Sequence, residues 1–378
     1  MALNFFKRGK TEITDPWVYV NQGTNLMKQG ELGSAIESFS KALELNPRLA
    51  SGYKNRGLSY ARLKAYDSAI ADFTKVLEIN PSDATVYFHR ANAYYSKNEL
   101  ESAVADLNRA IMIDPHYADA YTLRGFTYDK LGAFDSAVAN YTKALEINPE
   151  DTQAYSGRGI NYDAQGEYAL ALADFNQAID KNPKNAHSYF NRGRTHYILN
   201  DFDKAILDFS KALELHPDYP FAHYHRGNAY RLKGGYFKAI EDYNRALELN
   251  QPHALTYCNR GNAHTAIGEY DQAIADFTKA LKLNAHLADA YDGRGTAYRH
   301  KGLYVLAIAD HNKALEVNTR CVMAYYNKAL SCEKMSQRIE AILAYESFIQ
   351  FAPEYLAEQM LRAKQRVKEL QQENTLME

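Results

Sequence analysis

An arginine recurs in this chain at 56, 90, 124, 158, 192, 226, 260 and 294, each 34 residues after the last. Carboxylates recur with the same period at Asp72, Asp106, Asp174, Asp208, Asp242, Asp276 and Asp310. Guanidinium and carboxylate groups at fixed intervals have two uses. They recognise charged ligands, or they pair with each other through two parallel N–H bonds. Within this chain the two charges mostly come and go together. Gln22 goes with Ser38, and Lys328 goes with Ala344; Arg124 opposite Asn140 is the mixed case. We read Arg56, Arg90, Arg192, Arg226, Arg260 and Arg294, with their acids, as a structural ladder rather than a ligand site. The pairing runs within one period or from one period's acid to the next period's arginine. Counting matches slightly favours the first, and the sequence leaves both open.

Other reactive side chains make weaker patterns. Ten of the twelve histidines lie between His187 and His311. His223 and His225 are two apart, so on a helix they point to nearly opposite sides and share no metal. Three scattered cysteines (Cys258, Cys321 and Cys332) form no CxxC pair and no disulfide framework. HExxH, GxSxG and GxGxxG are all absent. The RGKT at 8–11 has Asn4 where a phosphate loop needs its first glycine, and no strand precedes it. No catalytic, metal or cofactor site is expected.

The period itself dictates the elements that carry these groups. Counting from Pro16, ten units of 34 residues run to Tyr355 without insertion: 16–49, 50–83, 84–117, 118–151, 152–185, 186–219, 220–253, 254–287, 288–321 and 322–355. Position 4 is tyrosine in nine units, His223 excepted. Position 8 is Gly or Ala throughout, and position 20 is alanine in all ten. Position 24 is usually aromatic, with Leu107 and His311 departing. Positions 4, 8 and 11 share one helical face, as do 20, 24 and 27, so each unit is predicted to be a pair of helices. Position 15 is Gly or Asn in eight units, which suits the left-handed turn that ends the first helix. Proline at position 32, as in Pro47 and Pro81, stops the second. Small residues at 8 and 20 admit the ring at 24. A bulky side chain at Gly193 is therefore expected to cost about 1–3 kcal/mol.

These ten in-phase copies, covering 16–355, resemble the tetratricopeptide repeat family. The resemblance implies an all-α, right-handed solenoid superhelix whose first helices line a concave groove and whose second helices form a convex back. Arginine at position 7 departs from that family's usual leucine. The final stretch places Leu356, Met360, Ala363, Val367 and Leu370 on one stripe, so residues 356–378 are expected to form a capping helix and tail. Residues 1–15 read as a flexible leader, with an interfacial membrane contact through Leu3, Phe5, Phe6, Lys7 and Arg8 as the other reading. Trp17 is expected to cover part of the first repeat.

Function is then expected in the groove. Positions 2, 6, 9 and 13 lie opposite the core face of the first helix. Asn55, Asn191 and Asn259 at position 6, with Asn92, Asn228 and Asn262 at position 9, offer a donor and an acceptor each. Such amides pair with an extended peptide backbone whatever its sequence; they also read as tolerated polar residues on a helix. Repeats six to eight add His187, Phe190, Arg194, Tyr197, Phe221, Tyr224, His225 and Arg231, the aromatic and arginine types that anchor interfaces. The family's carboxylate clamp for chaperone tails is not expected: only Lys54 supplies its first lysine, and Leu58 follows where an asparagine belongs.

The net charge of −2 argues against a nucleic-acid partner, and no apolar run is long enough to span a membrane. Free thiols suit a reducing compartment, so a cytoplasmic location is expected. The leading expectation is a non-enzymatic scaffold or adaptor that holds another protein or an extended peptide in its groove. The alternative is a structural or assembly subunit that binds through its convex face or C-terminal helix.

Overall fold

A computed structural model describes residues 15–249 and 253–375. The expected leader lies outside them apart from Asp15. Among the described residues every regular element is helical. The chain divides between Pro183 and Lys184 into two compact units.

The first unit contains α1 (Pro16–Gln29), α2 (Leu32–Leu45), α3 (Ala50–Arg62), α4 (Tyr66–Ile79), α5 (Ala84–Ser96), α6 (Leu100–Ile113), α7 (Ala118–Lys130), α8 (Phe134–Ile147), α9 (Thr152–Ala164) and α10 (Tyr168–Lys181). The second contains α11 (Ala186–Ile198), α12 (Phe202–Leu215), α13 (Pro220–Leu232), α14 (Tyr236–Leu249), α15 (Ala254–Ala266), α16 (Tyr270–Leu283), α17 (Ala288–His300), α18 (Tyr304–Val317), α19 (Val322–Lys334), α20 (Arg338–Phe351) and α21 (Ala357–Thr375). Within each unit, every odd-numbered helix up to α19 packs on the even-numbered helix that follows it. From α1 to α9 and from α11 to α19, each odd-numbered helix also touches the next, so the first helices of successive repeats lie side by side.

The local sequence explains each boundary. Position 15 has positive φ in all ten repeats, including Lys64 at 61° and Ser336 at 59°. That conformation lets the next N–H reach back to the carbonyl of position 11, as from Ala65 to Tyr60 and from Gln337 to Cys332, both 2.9 Å. The exits of several second helices close with an Asx turn: the side-chain oxygens of Asn46, Asn80 and Asn148 accept from the N–H two residues on.

Packing follows size. The alanines at position 20 are fully buried, and so are Phe39, Phe73 and Tyr141 at position 24. A Cβ on Gly57 would lie 2.8 Å from the Phe73 ring, and one on Gly193 would lie 2.9 Å from Phe209. Where the ring shrinks to Leu107, Ala91 replaces the glycine; Ala329 opposite Tyr345 is the exception to that trade. Position-24 tyrosines also need an acceptor for their buried hydroxyls. Tyr141 donates to Asp129, Tyr243 to Asn228 and Tyr345 to Glu333.

The C-terminal helix α21 buries Ala363, Val367 and Leu370 against Tyr345 and Phe348. Arg366 Nε donates to Glu333 at 2.6 Å, joining α21 to the same carboxylate that takes the Tyr345 hydroxyl. Trp17 covers little: its indole stays 51% exposed, and the first repeat closes instead around Val20 and Phe39.

Candidate functional site

Every recurring arginine except Arg124 grips an aspartate in its own repeat. Arg56 donates from Nε and Nη2 to the two oxygens of Asp72, both at 2.8 Å. The same fork joins Arg90 to Asp106, Arg158 to Asp174, Arg192 to Asp208, Arg226 to Asp242, Arg260 to Asp276 and Arg294 to Asp310. The second helix supplies each acid from position 23, where it is buried; Asp72 is 5% exposed.

A third bond ties the guanidinium to the preceding repeat. Arg56 Nη1 donates to Ser40, Arg90 to Thr74, Arg226 to Ser210 and Arg260 to Asn244. The arginine thus bridges an acid in its own repeat and a position-25 hydroxyl or amide in the one before. Position-4 tyrosines cover its face, with Arg56 Cζ 5.6 Å from the Tyr53 ring centre and Arg260 Cζ 5.4 Å from that of Tyr257. Where position 4 is His223, its Nδ1 lies 2.8 Å from Asp242 instead.

The charge state responds to the partner. The bond to Asp72 outweighs burial and holds Arg56 above its ordinary pKa, and Arg90, Arg158 and Arg294 behave alike. Arg124, which has only the amide of Asn140, is pushed down by burial. With three N–H edges spent inside the protein, these guanidinium groups have little left for a ligand. Position 25 was not singled out in the sequence, although Ser, Thr or Asn recurs there from Ser40 to Asn312.

The groove candidates separate into three groups. Phe190 is not an exposed anchor: it is 8% exposed and packs against Phe209, Tyr219 and His225. Position 5 turns into the seam between repeats, as buried Val20 and Cys258 also show. Asn228 is likewise committed, accepting from Tyr243 Oη at 2.7 Å and from Asn259 Nδ2 at 2.9 Å. His225 is largely enclosed by rings, and burial with the nearby Arg194 lowers its pKa to about 4. Asn191, Arg194 and Tyr197 are half-buried, and Tyr197 packs on Phe202. His187 is exposed but holds Tyr219 Oη at 3.0 Å.

The remaining candidates border open space. Asn55 is half-buried on α3. Asn92 lines a 480 Å³ cavity of the first unit with Asp119, Thr122, Phe126 and Gln153. Phe221 and Tyr224 border a 200 Å³ hollow in the second. Arg231, Asn259 and Asn262 line a cavity of 950 Å³. That cavity extends past the expected stretch to Asp289, Asp292, Thr296, Arg320, Met323, Phe351 and Tyr355. Repeats nine and ten lie outside the stretch expected from the sequence, and position 6 of repeat nine is Gly293. Its missing side chain leaves room there, and a Cβ would clash with the Phe277 ring. The Cys321 thiol at the edge is pushed up to about 12 by burial, with Asp292 and Asp289 adding. No group of three or more potential metal ligands forms among the described residues.

Tandem helical hairpins of equal length, with side-by-side first helices bordering open cavities, define a helical-repeat protein. Sequence profiles described as tetratricopeptide or TPR repeat match residues 23–64, 50–83, 91–132, 118–151, 156–220, 227–268 and 254–287. The chain belongs to the tetratricopeptide repeat family. Among solved structures it resembles pilF of Pseudomonas aeruginosa, at 18% identity and a TM-score of 0.51, over 55% of this chain and 94% of that one. It is also similar to YrrB, described as a TPR protein with an unusual peptide-binding site, at 27% identity and a TM-score of 0.42, over 50% and 96% of the two chains. MamA matches at 28% identity and a TM-score of 0.41, over 43% and 95%. Curated protein sequences give no match.

Proposed function

We propose that the chain is a non-enzymatic scaffold that holds an extended segment of another protein along the face formed by its first helices. One observation carries this reading: the larger cavities of both units lie on that face and are bordered by mixed amide, charged and aromatic side chains. Amides meet a peptide backbone, and exposed rings such as Phe221 contribute the desolvation that amide contacts lack. Lys54, the single candidate for a tail-clamp lysine, spends its ammonium on Asp83 and Thr85, which supports a partner other than a chaperone tail. No helix among the described residues is long and apolar enough to cross a membrane. Free Cys258, Cys321 and Cys332 support a reducing compartment such as the cytoplasm.

A second reading has its own observation. Asp67 and Asp203 on second helices take an ion pair from Lys97 and Lys233 of the next repeat, but the equivalent pair in repeats nine and ten is Val305 and Met335. Val305, Ile339 and Leu343 are exposed there, which suits assembly through the second-helix face.

The test is partner capture from the native cell with two variants. Phe221→Ser combined with Asn92→Asp alters the first-helix face; Val305→Lys combined with Ile339→Lys alters the other. Loss of the captured partner with the first variant alone supports the groove. Loss with the second alone overturns it in favour of the assembly surface.

A further inference from the structure

The second unit changes character along its first-helix face. Position 2 of successive repeats reads His187, Phe221, Leu255, Asp289 and Met323. Phe221 and Leu255 are apolar yet 56% and 44% exposed, and both border the 200 Å³ hollow. Single exposed apolar residues are ordinary, but two flanking one hollow on a ligand-facing surface make an apolar subsite.

The next cavity on that face, of 950 Å³, is bordered by polar and charged side chains together with apolar and aromatic ones. Asp292 has internal duties: it accepts from Asn327 Nδ2 at 3.1 and 3.2 Å, and its Oδ1 lies 2.8 Å from His311 Nδ1. Asp289 is different. It is exposed, lines the cavity, and makes no hydrogen bond or ion pair among the described residues. Arg231 and Asn262 line the same cavity as donors, and Phe351 and Tyr355 supply exposed rings.

We infer that the second unit selects extended peptide segments in which an apolar side chain is followed or preceded closely by a basic one. The apolar side chain fills the hollow beside Phe221 and Leu255. The lysine or arginine extends into the larger cavity, its stem along Phe351 or Tyr355 and its charge against Asp289. The donors of Arg231 and Asn262 meet backbone carbonyls of the same segment. Charge complementarity argues for this occupant: Arg231 and Arg320 border the same cavity but neither makes an ion pair with Asp289, which leaves that exposed carboxylate for a ligand's cation. The inference rests on the groove reading above and adds the sequence class that the groove takes.

Fluorescein-labelled peptides of alanine and serine carrying one leucine and one lysine at several separations test it against the full chain. At least one spacing is expected to bind saturably. Exchanging its lysine for glutamate or norleucine, or its leucine for serine, is expected to weaken binding about tenfold or more. Asp289→Asn is expected to weaken the lysine peptide by a similar factor and leave the norleucine peptide unchanged. Asp289→Lys is expected to favour the glutamate peptide. Bound peptide is also expected to slow alkylation of Cys321, which lies at the cavity edge while Cys258 and Cys332 are buried.

Equal binding of lysine and glutamate peptides, preference for glutamate by the unmodified chain, indifference to Asp289→Asn, or no binding of any lysine peptide each overturns the inference. The groove reading fails separately. A native partner still lost with Phe221→Ser, but indifferent to Asp289→Asn, removes the charge selection and leaves the groove.

Discussion

Removing the carboxylate of Asp72 tests the arginine ladder. Arg56 makes three side-chain bonds, two to Asp72 at 2.8 Å and one to Ser40 at 2.9 Å. The side chains of Arg56 and Asp72 are 20% and 7% exposed, so both charges are largely dehydrated. Asp72→Leu leaves a guanidinium with one neutral bond. Breaking a buried pair costs about 3–5 kcal/mol, and the residual access of Arg56 to water places this case near the lower end, about 3 kcal/mol. Asp72→Asn copies the Arg124–Asn140 arrangement, which keeps the Nε bond, so about 1.5 kcal/mol is expected. Arg56→Leu strands the buried acid and costs about 3 kcal/mol. The double leucine variant removes both charges together and is expected to cost less than either single change, which gives a coupling of at least about 3 kcal/mol.

Because a repeat array opens locally, whole-chain melting blurs such effects. Amide hydrogen exchange in α3 and α4 is the sharper assay: a 3 kcal/mol loss speeds exchange through local opening roughly a hundredfold. A measured coupling below about 0.5 kcal/mol, the level of an exposed ion pair, would refute the reasoning. It would mean that the guanidinium and carboxylate act as separately solvated groups.

Two further outcomes follow from single residues. His225 titrates near 4 when folded and near 6.5 when unfolded, so stability is full above pH 6.5 and declines as pH falls toward 4, by about 2–3 kcal/mol. His225→Phe is expected to flatten the dependence of Tm on pH across that window; an unchanged slope contradicts the assignment. Lys64 and Ser336 hold left-handed backbone at φ of 61° and 59°, where a Cβ costs about 1 kcal/mol, so Lys64→Gly and Ser336→Gly are each expected to raise stability by about 0.5–1 kcal/mol in chemical denaturation. A loss of stability in both would show that the turn is not strained.

The sequence was most legible where one side chain type answers one physical need. Alanine at position 20 and a ring at position 24 signal a close helix crossing, and glycine or asparagine at position 15 signals the turn. Lys64 and Ser336 escaped because their types do not advertise left-handed backbone; the bond to the position-11 carbonyl imposes it. The partners of the arginines at positions 4 and 25 escaped for another reason. A tyrosine that covers a guanidinium looks the same in sequence as one that fills a core. Ser40, Thr74 and Asn108 share acceptor oxygens but not a residue type. Phe190 misled because periodicity gives an angle on its own helix, whereas its burial comes from Phe209 and Tyr219 on other segments.

The groove shows the same dependence in a form with consequences for recognition. Within each unit, several position-24 rings reach position 6 of the next repeat, sixteen residues on. Below Tyr141 and Phe277 the ring comes so close that only Gly157 and Gly293 fit. Above Phe73 and Phe209, His89 and His225 stack on it with centroids 6.0 and 5.9 Å away. Tyr243 ties its hydroxyl to Asn228, and Asn259 joins that bond from the next repeat. The groove's row of asparagine, histidine and glycine is therefore partly written by the core beneath it. A core substitution such as Phe277→Leu opens room above Gly293, in the 950 Å³ cavity, without touching any groove residue. In this fold a change in partner preference has a route through the hydrophobic core, and a search for determinants confined to exposed side chains passes over it.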